Sequence, residues 1–225
     1  MGGRRPRVLA HRGASGHALE NTLEAFRAAR TLGADGVELD VHGSLDGVMV
    51  VHHDASIPGL GAIAALSRAR ISHAQLGNGE AVPTLQDVLQ VIPGLEVWIE
   101  IKGLGRGQEV ELLAAITRGP GPERCRVHSF DHGLVGRLHR LAPELPLGLL
   151  TTEQMGNPAG ALAAAGAVAL WPAHRLVDAD LVSAVHGASA EVIAWTVNDP
   201  AEARRLASCG VDALCGNYPE RLRLP

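Results

Sequence analysis

The sequence is poor in aromatic residues, which make up 3% of its 225 positions, and no apolar run reaches the length of a membrane span. Base-stacking platforms for single-stranded nucleic acid need aromatic side chains. The formal net charge of -4 and the lack of a basic run also argue against nucleic acid. The longest alanine-rich stretch, residues 159–173, is interrupted by glycine and proline. We therefore expect no nucleic-acid partner and no stable membrane insertion, while the oligomeric state stays open.

Cysteine is scarce as well, and Cys125, Cys209 and Cys215 form no CxxC pair. An odd number of cysteines without metal-ligand spacing argues against a disulfide framework and against a structural zinc site. Three apolar residues separate the arginine-rich N-terminus from His11, which is too few for a signal-peptide core. A reduced compartment fits this pattern, and we predict a cytoplasmic protein.

Lysine is almost absent, because Lys102 is the single lysine among the 20 basic residues Lys and Arg. It ends an apolar run two positions after Glu100. Its ammonium group is a compact charge on a flexible stem, whereas the arginine guanidinium is a rigid planar fork. A single lysine beside a carboxylate, in a chain that otherwise uses arginine, predicts a chemical role for Lys102.

What the chain does contain is a regular alternation of strand-like and helix-like segments without a low-complexity linker. Eight strand–helix units predict a (β/α)8 TIM barrel, and the turn signal Asp46-Gly47 adds a short hairpin insertion after strand 2. A doubly wound open sheet is the alternative, but no GxGxxG loop follows the first strand. We predict one domain over residues 1–225. Its strands are predicted at 8–11, 36–42, 96–102, 126–130, 147–151, 168–172, 191–197 and 211–215. One helix is predicted to follow residue 22 and to end at residue 32, and another to begin at residue 84. Further helices are predicted at 108–118, 134–141, 159–165, 179–186 and 200–208, with a short helix in the tail.

Three of the predicted strands end in charged residues that an ordinary core strand would not carry. Side chains alternate between the two faces of a strand, so residues two positions apart share a face. The carboxyl ends of barrel strands form the active-site face, so these groups are expected to converge there. Buried charges need a partner or a metal. The pairs are His11 with Arg12, Glu38 with Asp40, and Glu100 with Lys102.

The carboxylates of Glu38, Asp40 and Glu100 offer oxygen ligands alone. Such ligands suit Mg²⁺ or Ca²⁺, whereas zinc would prefer histidine or cysteine, and no HExxH motif is present. The alternative is that the acids form ion pairs with Arg12 and Lys102 and hold no metal. We predict one divalent cation, Mg²⁺ or Ca²⁺.

Two histidines flank this cluster in the sequence, because His11 ends strand 1 and His53 ends the predicted hairpin. Such a pair can serve as general acid and general base near neutral pH. Arg12 and Lys102 could neutralise a phosphate at the same place. The pattern therefore favours phosphoryl transfer on a small anionic substrate, with the assignment of acid and base left open.

In order along the chain, these motifs resemble those of the glycerophosphodiester phosphodiesterase family. The resemblance spans nearly the whole sequence, and the number of motifs in order makes it specific. The matching stretches are His11-Arg12-Gly13-Ala14-Ser15-Gly16, Glu20-Asn21-Thr22, Glu38-Leu39-Asp40, His53-Asp54, Pro83-Thr84-Leu85, Glu100-Ile101-Lys102, Ser129-Phe130-Asp131 and Trp195-Thr196-Val197-Asn198-Asp199.

The resemblance implies a (β/α)8 barrel that uses Mg²⁺ or Ca²⁺ to hydrolyse glycerophosphodiesters to sn-glycerol 3-phosphate and an alcohol. The attacking hydroxyl would be water or the substrate's own glycerol hydroxyl. Trp195 on its own would be read as a core aromatic about as readily as a site residue. By position, Glu38, Asp40 and Glu100 would hold the metal, His11 and His53 would be the acid–base pair, Arg12 and Lys102 would contact the phosphate, Glu20 would support the site, and Trp195 would line the glycerol side.

Three positions depart from the family pattern. Leu19 replaces a proline, residues 55–61 replace the usual sequence after His53-Asp54, and the last strand ends in Cys215-Gly216-Asn217. The second departure concerns the segment expected to help select the alcohol. A lysophospholipase D-type enzyme with an apolar acyl channel formed by residues 57–66 is therefore an alternative. A non-catalytic barrel that binds phosphorylated ligands is another.

Overall fold

A computed structural model describes residues 5–224, in which strands and helices alternate as predicted. The strands are β1 (Arg7–His11), β2 (Gly36–Gly43), β3 (Met49–Val51), β4 (Ser56–Ile57), β5 (Gly61–Ala62), β6 (Glu96–Gly103), β7 (Cys125–Ser129), β8 (Leu147–Thr151), β9 (Ala169–Pro172), β10 (Glu191–Ala194) and β11 (Ala213–Gly216). The helices are α1 (Leu23–Thr31), α2 (Arg68–Ile71), α3 (Leu85–Val91), α4 (Glu109–Arg118), α5 (His132–Leu141), α6 (Pro158–Ala165), α7 (Ala179–Gly187), α8 (Pro200–Cys209) and α9 (Pro219–Leu222). Short 3₁₀ turns cover Ile63–Ala65, Pro122–Arg124 and His174–Leu176.

Within residues 5–224, eight parallel strands close into a barrel in the order β1, β2, β6, β7, β8, β9, β10, β11. The first and last strands pair with each other through Val8 and Leu214, and β1 also pairs with β2 through His11 and Glu38. The predicted (β/α)8 TIM barrel is thus confirmed, and the doubly wound alternative is wrong because the sheet has no open parallel edge in this part of the chain.

Because side chains alternate along each strand, the apolar residues form two layers, one between the barrel and the helices and one inside the barrel. Val37 and Leu39 of β2 point outward and pack against the helices, and Phe26 of α1 belongs to the same buried layer. Leu9 and Trp98 point inward and fill the barrel beneath its carboxyl end. The polar residues of the same strands share this inward face, so the alternation that builds the core also directs them toward the barrel axis.

The predicted hairpin after strand 2 is present, because β3 runs antiparallel to β2 with Val41 opposite Val51. The segment after it forms a small unit of its own that contains β4, β5 and α2. Its side chains Ile57, Ile63 and Ile71 are buried together in a separate apolar cluster. The insertion therefore has its own small core and sits beside the carboxyl end of β3.

A network of ion pairs closes the amino end of the barrel. The Glu96 carboxylate accepts hydrogen bonds from Arg7, from Arg126 Nε at 2.9 Å and from Trp98 Nε1 at 2.6 Å. Arg7 also donates to Glu191 at 2.6 Å. Glu96 therefore joins three strands at the end of the barrel opposite to the predicted site.

Several predicted boundaries are wrong by one to three residues, and two of them have a clear structural cause. Helix α5 begins at His132, earlier than predicted, because the Asp131 carboxylate accepts from Leu134 N and caps it. Strand β10 ends at Ala194, since the ladder to β11 stops there and Val197 N donates to Cys215 O beyond it.

Membrane insertion was not expected, and among the described residues no helix has the length and apolar character that crossing a bilayer requires. Residues 1–4, where no signal-peptide core was expected, lie outside the described part. The single domain over residues 1–225 and the cytoplasmic location stay predictions.

Candidate active site

The predicted site residues project inward at the carboxyl ends of neighbouring strands. His11 of β1 is in register with Glu38 of β2, and Asp40 is in register with Glu100 of β6. Glu100 is in turn opposite His128 of β7. Because these residues occupy adjacent strands at similar heights, closure of the barrel brings together groups that are far apart in sequence.

The three predicted carboxylates form one cluster. One oxygen each from Glu38, Asp40 and Glu100 lie within 4.8 Å of one another, and all three side chains are buried. Burial raises the pKa of Glu38 well above its usual value, and repulsion from Asp40 and Glu100 adds to this. Burial and repulsion from Asp40 likewise raise the pKa of Glu100. The cluster therefore disfavours three ionised carboxylates unless positive charge lies close to them.

Two oxygens of this cluster lack a hydrogen-bond partner among residues 5–224. They are Glu38 Oε1 and Asp40 Oδ1, and both are inaccessible to solvent. Buried polar atoms almost always have a partner, so these two unpartnered oxygens are available as ligands for a cation. The donor set, made of oxygens alone, fits a hard divalent cation.

Arg12 is held by acids on both sides. Its Nε lies 3.0 Å from Asp40 Oδ2, and its Nη1 donates to both Glu20 oxygens at 3.0 Å. Its backbone N–H donates to Glu38 Oε2 at 3.1 Å, and its backbone is left-handed with φ 56°. The structure thus places Glu20 beside Arg12, where the Glu20 side chain is 42% exposed and remains solvated.

Lys102 lies on the other side of the cluster. Its Nζ is 3.0 Å from Glu100 Oε1 and 3.9 Å from Asp40 Oδ1. Its side chain is 21% exposed, so the ammonium is accessible from the barrel mouth. The single lysine therefore lies beside the carboxylates, on the side from which an anion would enter.

His11 is oriented by a residue from the last strand's end. Its Nδ1 donates to Asn217 Oδ1 at 2.9 Å, and its Nε2 lies 4.0 Å from Glu38 Oε2. Burial lowers the pKa of His11 to about 4, and the charge of Arg12 contributes to this. The ring is therefore neutral near pH 7, with its proton on Nδ1 and a lone pair on Nε2.

His53 lies at the exposed end of the hairpin. Its Nδ1 is 2.8 Å from Asp54 Oδ1, and this hydrogen bond lowers the pKa of Asp54. His42 of β2 donates from Nε2 to the backbone oxygen of His53 at 3.1 Å. His53 also lines a small pocket together with Glu20. Both predicted histidines thus border the barrel mouth, one buried and one accessible.

Several residues around the site were not singled out by sequence reasoning. Asn21 donates to Asp40 Oδ2 at 2.8 Å, and Thr22 caps α1. Asn217 and His128 were also missed. His128 occupies the inward face of β7, so its alternation with the outward Val127 was the available signal.

Trp195 is half-buried at the barrel mouth. Its indole Nε1 donates to Trp171 O at 3.0 Å, and its ring packs edge-on against Phe130 with centroids 5.7 Å apart. The ring therefore packs against the interior core and against Phe130, and its place on the glycerol side stays a prediction.

A groove of about 760 Å³ leads outward from the carboxylate cluster. It begins at Glu100 and Lys102 and runs between the loops that follow β6 and β7. Phe130, whose side chain is 43% exposed, supplies apolar surface. Arg106 and Arg137 supply charge.

Comparison with known proteins gives the family. The model of the glycerophosphoryl diester phosphodiesterase family matches residues 11–221, which include every predicted site residue. The chain belongs to this family. The resemblance derived from the motifs is confirmed, and so is the prediction that the chain is an enzyme of the phosphodiesterase class.

Relatives in the glycerophosphoryl diester phosphodiesterase family match along nearly their whole length. A glycerophosphodiester phosphodiesterase from Caldanaerobacter subterraneus is 33% identical, with 96% of this chain and 95% of the relative covered. A solved Oleispira antarctica phosphodiesterase, in complex with the product sn-glycerol-3-phosphate, is 28% identical with a TM-score of 0.88, covering 97% of this chain and 95% of that one. A glycerophosphodiester phosphodiesterase structure from Parabacteroides distasonis is 26% identical with a TM-score of 0.89, covering 98% and 96%.

Proposed function

We propose that this enzyme hydrolyses glycerophosphodiesters to sn-glycerol 3-phosphate and an alcohol, using one divalent cation, Mg²⁺ or Ca²⁺. The observation that carries the proposal is the buried cluster of Glu38, Asp40 and Glu100 with two unpartnered oxygens. The named relatives and the product held by the Oleispira antarctica phosphodiesterase support the substrate class.

The charges of the site support a cation together with a phosphodiester. If all three carboxylates of the cluster were ionised beside the charged Arg12 and Lys102, their sum would be one net negative charge, with the solvated Glu20 left aside. A divalent cation would reverse this to one net positive charge, and a phosphodiester anion would neutralise it. Glu38, Asp40 and Glu100 would hold the cation, which would draw charge from the phosphate oxygens when bound.

Arg12 and Lys102 would contact the phosphate. In the structure they pair with Asp40 and Glu100 respectively. A cation would neutralise those carboxylates. The guanidinium fork of Arg12 and the ammonium of Lys102 could then also donate hydrogen bonds to phosphate oxygens. Glu20 would act through Arg12, because it fixes the terminal nitrogen of the guanidinium.

The two histidines would divide the proton transfers. His11 has its proton on Nδ1, donated to Asn217, so its Nε2 can accept the proton of the attacking hydroxyl. The Nδ1 atom of His53 is hydrogen-bonded to Asp54, which would orient the ring so that Nε2 can protonate the leaving alcohol. We therefore assign His11 as general base and His53 as general acid.

The alcohol would occupy the groove that starts at Glu100 and Lys102. Its surface is mixed, with Phe130 beside Arg106 and Arg137, which suits a polar alcohol better than an acyl chain. The glycerol would then lie on the side of Trp195, on the other face of the phosphate.

The lysophospholipase D alternative loses the feature that suggested it. Ile57 and Ile63 are buried in the core of the insertion, so they do not supply an apolar channel. The non-catalytic alternative is disfavoured by the presence of both histidines at the barrel mouth. Neither alternative has an observation of its own in favour.

The direct test is an assay of products from glycerophosphocholine. We expect choline and sn-glycerol 3-phosphate from the wild-type protein, and loss of both products in the Glu100→Gln variant. Release of phosphocholine and glycerol would mean that the other ester bond is cleaved. No hydrolysis by the cation-loaded protein would favour the non-catalytic barrel.

A further inference from the structure

His128 lies buried directly behind the carboxylate cluster. Its side chain is 1% exposed, and its ring packs against Trp171 and Trp98 at centroid distances of 4.2 Å and 5.4 Å. Gly148 on the next strand makes room for this packing, because a Cβ there would lie 3.2 Å from the His128 Cβ and 3.0 Å from the Trp98 ring. The imidazole is therefore held tightly in an aromatic box formed by Trp98 and Trp171.

This packing leaves an unusual polar group without a partner. Neither ring nitrogen of His128 has a hydrogen-bond partner within the described part of the chain. Its Nε2 lies 3.9 Å from Glu38 Oε1, which is one of the two unpartnered carboxylate oxygens. The other Glu38 oxygen already accepts from Arg12 N at 3.1 Å. An orphaned donor therefore faces an orphaned acceptor, slightly beyond hydrogen-bond distance.

His128 is suited to donate rather than to bind the cation itself. An imidazole ring always carries at least one N–H, so His128 has a proton to donate. In residues 5–224, the ligand atoms that lie within 4.8 Å of one another come from the three carboxylates, and His128 is outside this set. Its effect on a cation would therefore pass through Glu38.

We propose that His128 is a positioning residue that donates from Nε2 to Glu38 Oε1 and thereby sets the affinity of the site for its divalent cation. The inference rests on the proposed function, because it takes Glu38 as a cation ligand. Groups that hydrogen-bond to metal-ligating side chains fix their orientation, and their loss typically lowers metal affinity about 10–100-fold.

The test compares three variants by calorimetric titration of Mg²⁺ and of Ca²⁺ into chelator-stripped protein. His128→Leu removes the donor and keeps an apolar side chain in the box. His128→Gln keeps an N–H at about the reach of Nε2. Trp171→Phe disturbs the same box without touching Glu38 and serves as the packing control.

We expect His128→Leu to raise the Kd about tenfold or more, while His128→Gln and Trp171→Phe stay within about threefold of the wild type. If His128→Leu does not fold, His128→Phe takes its place. Wild-type affinity in the apolar variant overturns the inference, and so does a loss in His128→Gln or Trp171→Phe as large as that in His128→Leu. If the wild type binds neither cation, the proposed function fails and this inference fails with it. If the wild type binds a cation and His128→Leu binds it equally well, this inference alone fails.

Discussion

The side-chain oxygen of Asn217 lies 2.9 Å from Nδ1 of His11, although 206 residues separate the two in sequence. The contact exists because β1 and β11 are neighbours in the closed barrel. It holds the His11 proton on Nδ1 and leaves Nε2 free to accept one. Asn217 therefore has a defined part in the proposed proton transfer.

Replacing Asn217 with leucine should lower kcat about 10–100-fold with little change in KM. His11 would lose the partner that orients its ring and would therefore be a less effective general base. Asn217→Asp is the matched control, because it keeps the acceptor. The aspartate should also stabilise protonated His11, so the acid limb of the pH–rate profile should move to higher pH. An unchanged kcat in Asn217→Leu would show that this contact does not orient the base.

The histidine pair should show a division of labour. His11→Ala and His53→Ala should each lower kcat about 10²–10⁴-fold, and the double variant should lose less than the product of the single losses. A nitrophenyl ester, which needs no proton on its leaving group, should rescue His53→Ala and not His11→Ala. Rescue of His11→Ala alone would reverse the assignment, and equal rescue of both would contradict a separate acid and base.

Lys102→Arg should be severely damaging although the charge is kept. Nζ lies 3.0 Å from Glu100 and 3.9 Å from Asp40, and a rigid fork is too bulky for that position among buried carboxylates. Steady-state kinetics should show a loss of about 10²-fold or more in kcat/KM. Arg30→Lys, at the exposed end of α1, serves as a control for exchanging the two cations. Near-normal turnover of Lys102→Arg would show that the single lysine is incidental.

Glu96 should matter for stability and not for the cation. Its carboxylate accepts from Arg7, Arg126 and Trp98 at the amino end of the barrel, so Glu96→Ala leaves three donors without their acceptor. We expect a loss of about 1–3 kcal/mol in the free energy of unfolding, measured with denaturant. The Kd for Mg²⁺ should stay at the wild-type value. A coupled loss of cation affinity would mean that the two ends of the barrel are not independent.

Much of the site was predictable because it depends on local rules. Alternation along a strand places Glu38 and Asp40 on one face, and the barrel rule places Glu100 at the same end, so the cluster follows from sequence and fold class together. The amide contacts were not predictable in this way. Asn21 and Asn217 reach their partners through loop conformation and barrel closure, which leave no periodic signal.

The insertion after β3 shows a second limit. Its apolar residues were taken as a possible acyl channel, whereas Ile57, Ile63 and Ile71 bury one another. Short apolar segments have the same composition whether they line a groove or fill a core. Tertiary packing decides between the two outcomes, and the sequence pattern does not contain it.

Cation dependence of turnover tests the central claim most directly. The measurement is the rate of sn-glycerol 3-phosphate release from glycerophosphocholine by protein treated with excess chelator, before and after Mg²⁺ or Ca²⁺ is restored. With Glu38, Asp40 and Glu100 as ligands, activity should fall to background in chelator and return with the cation, while Glu38→Gln should not recover. Full activity in excess chelator would contradict the account.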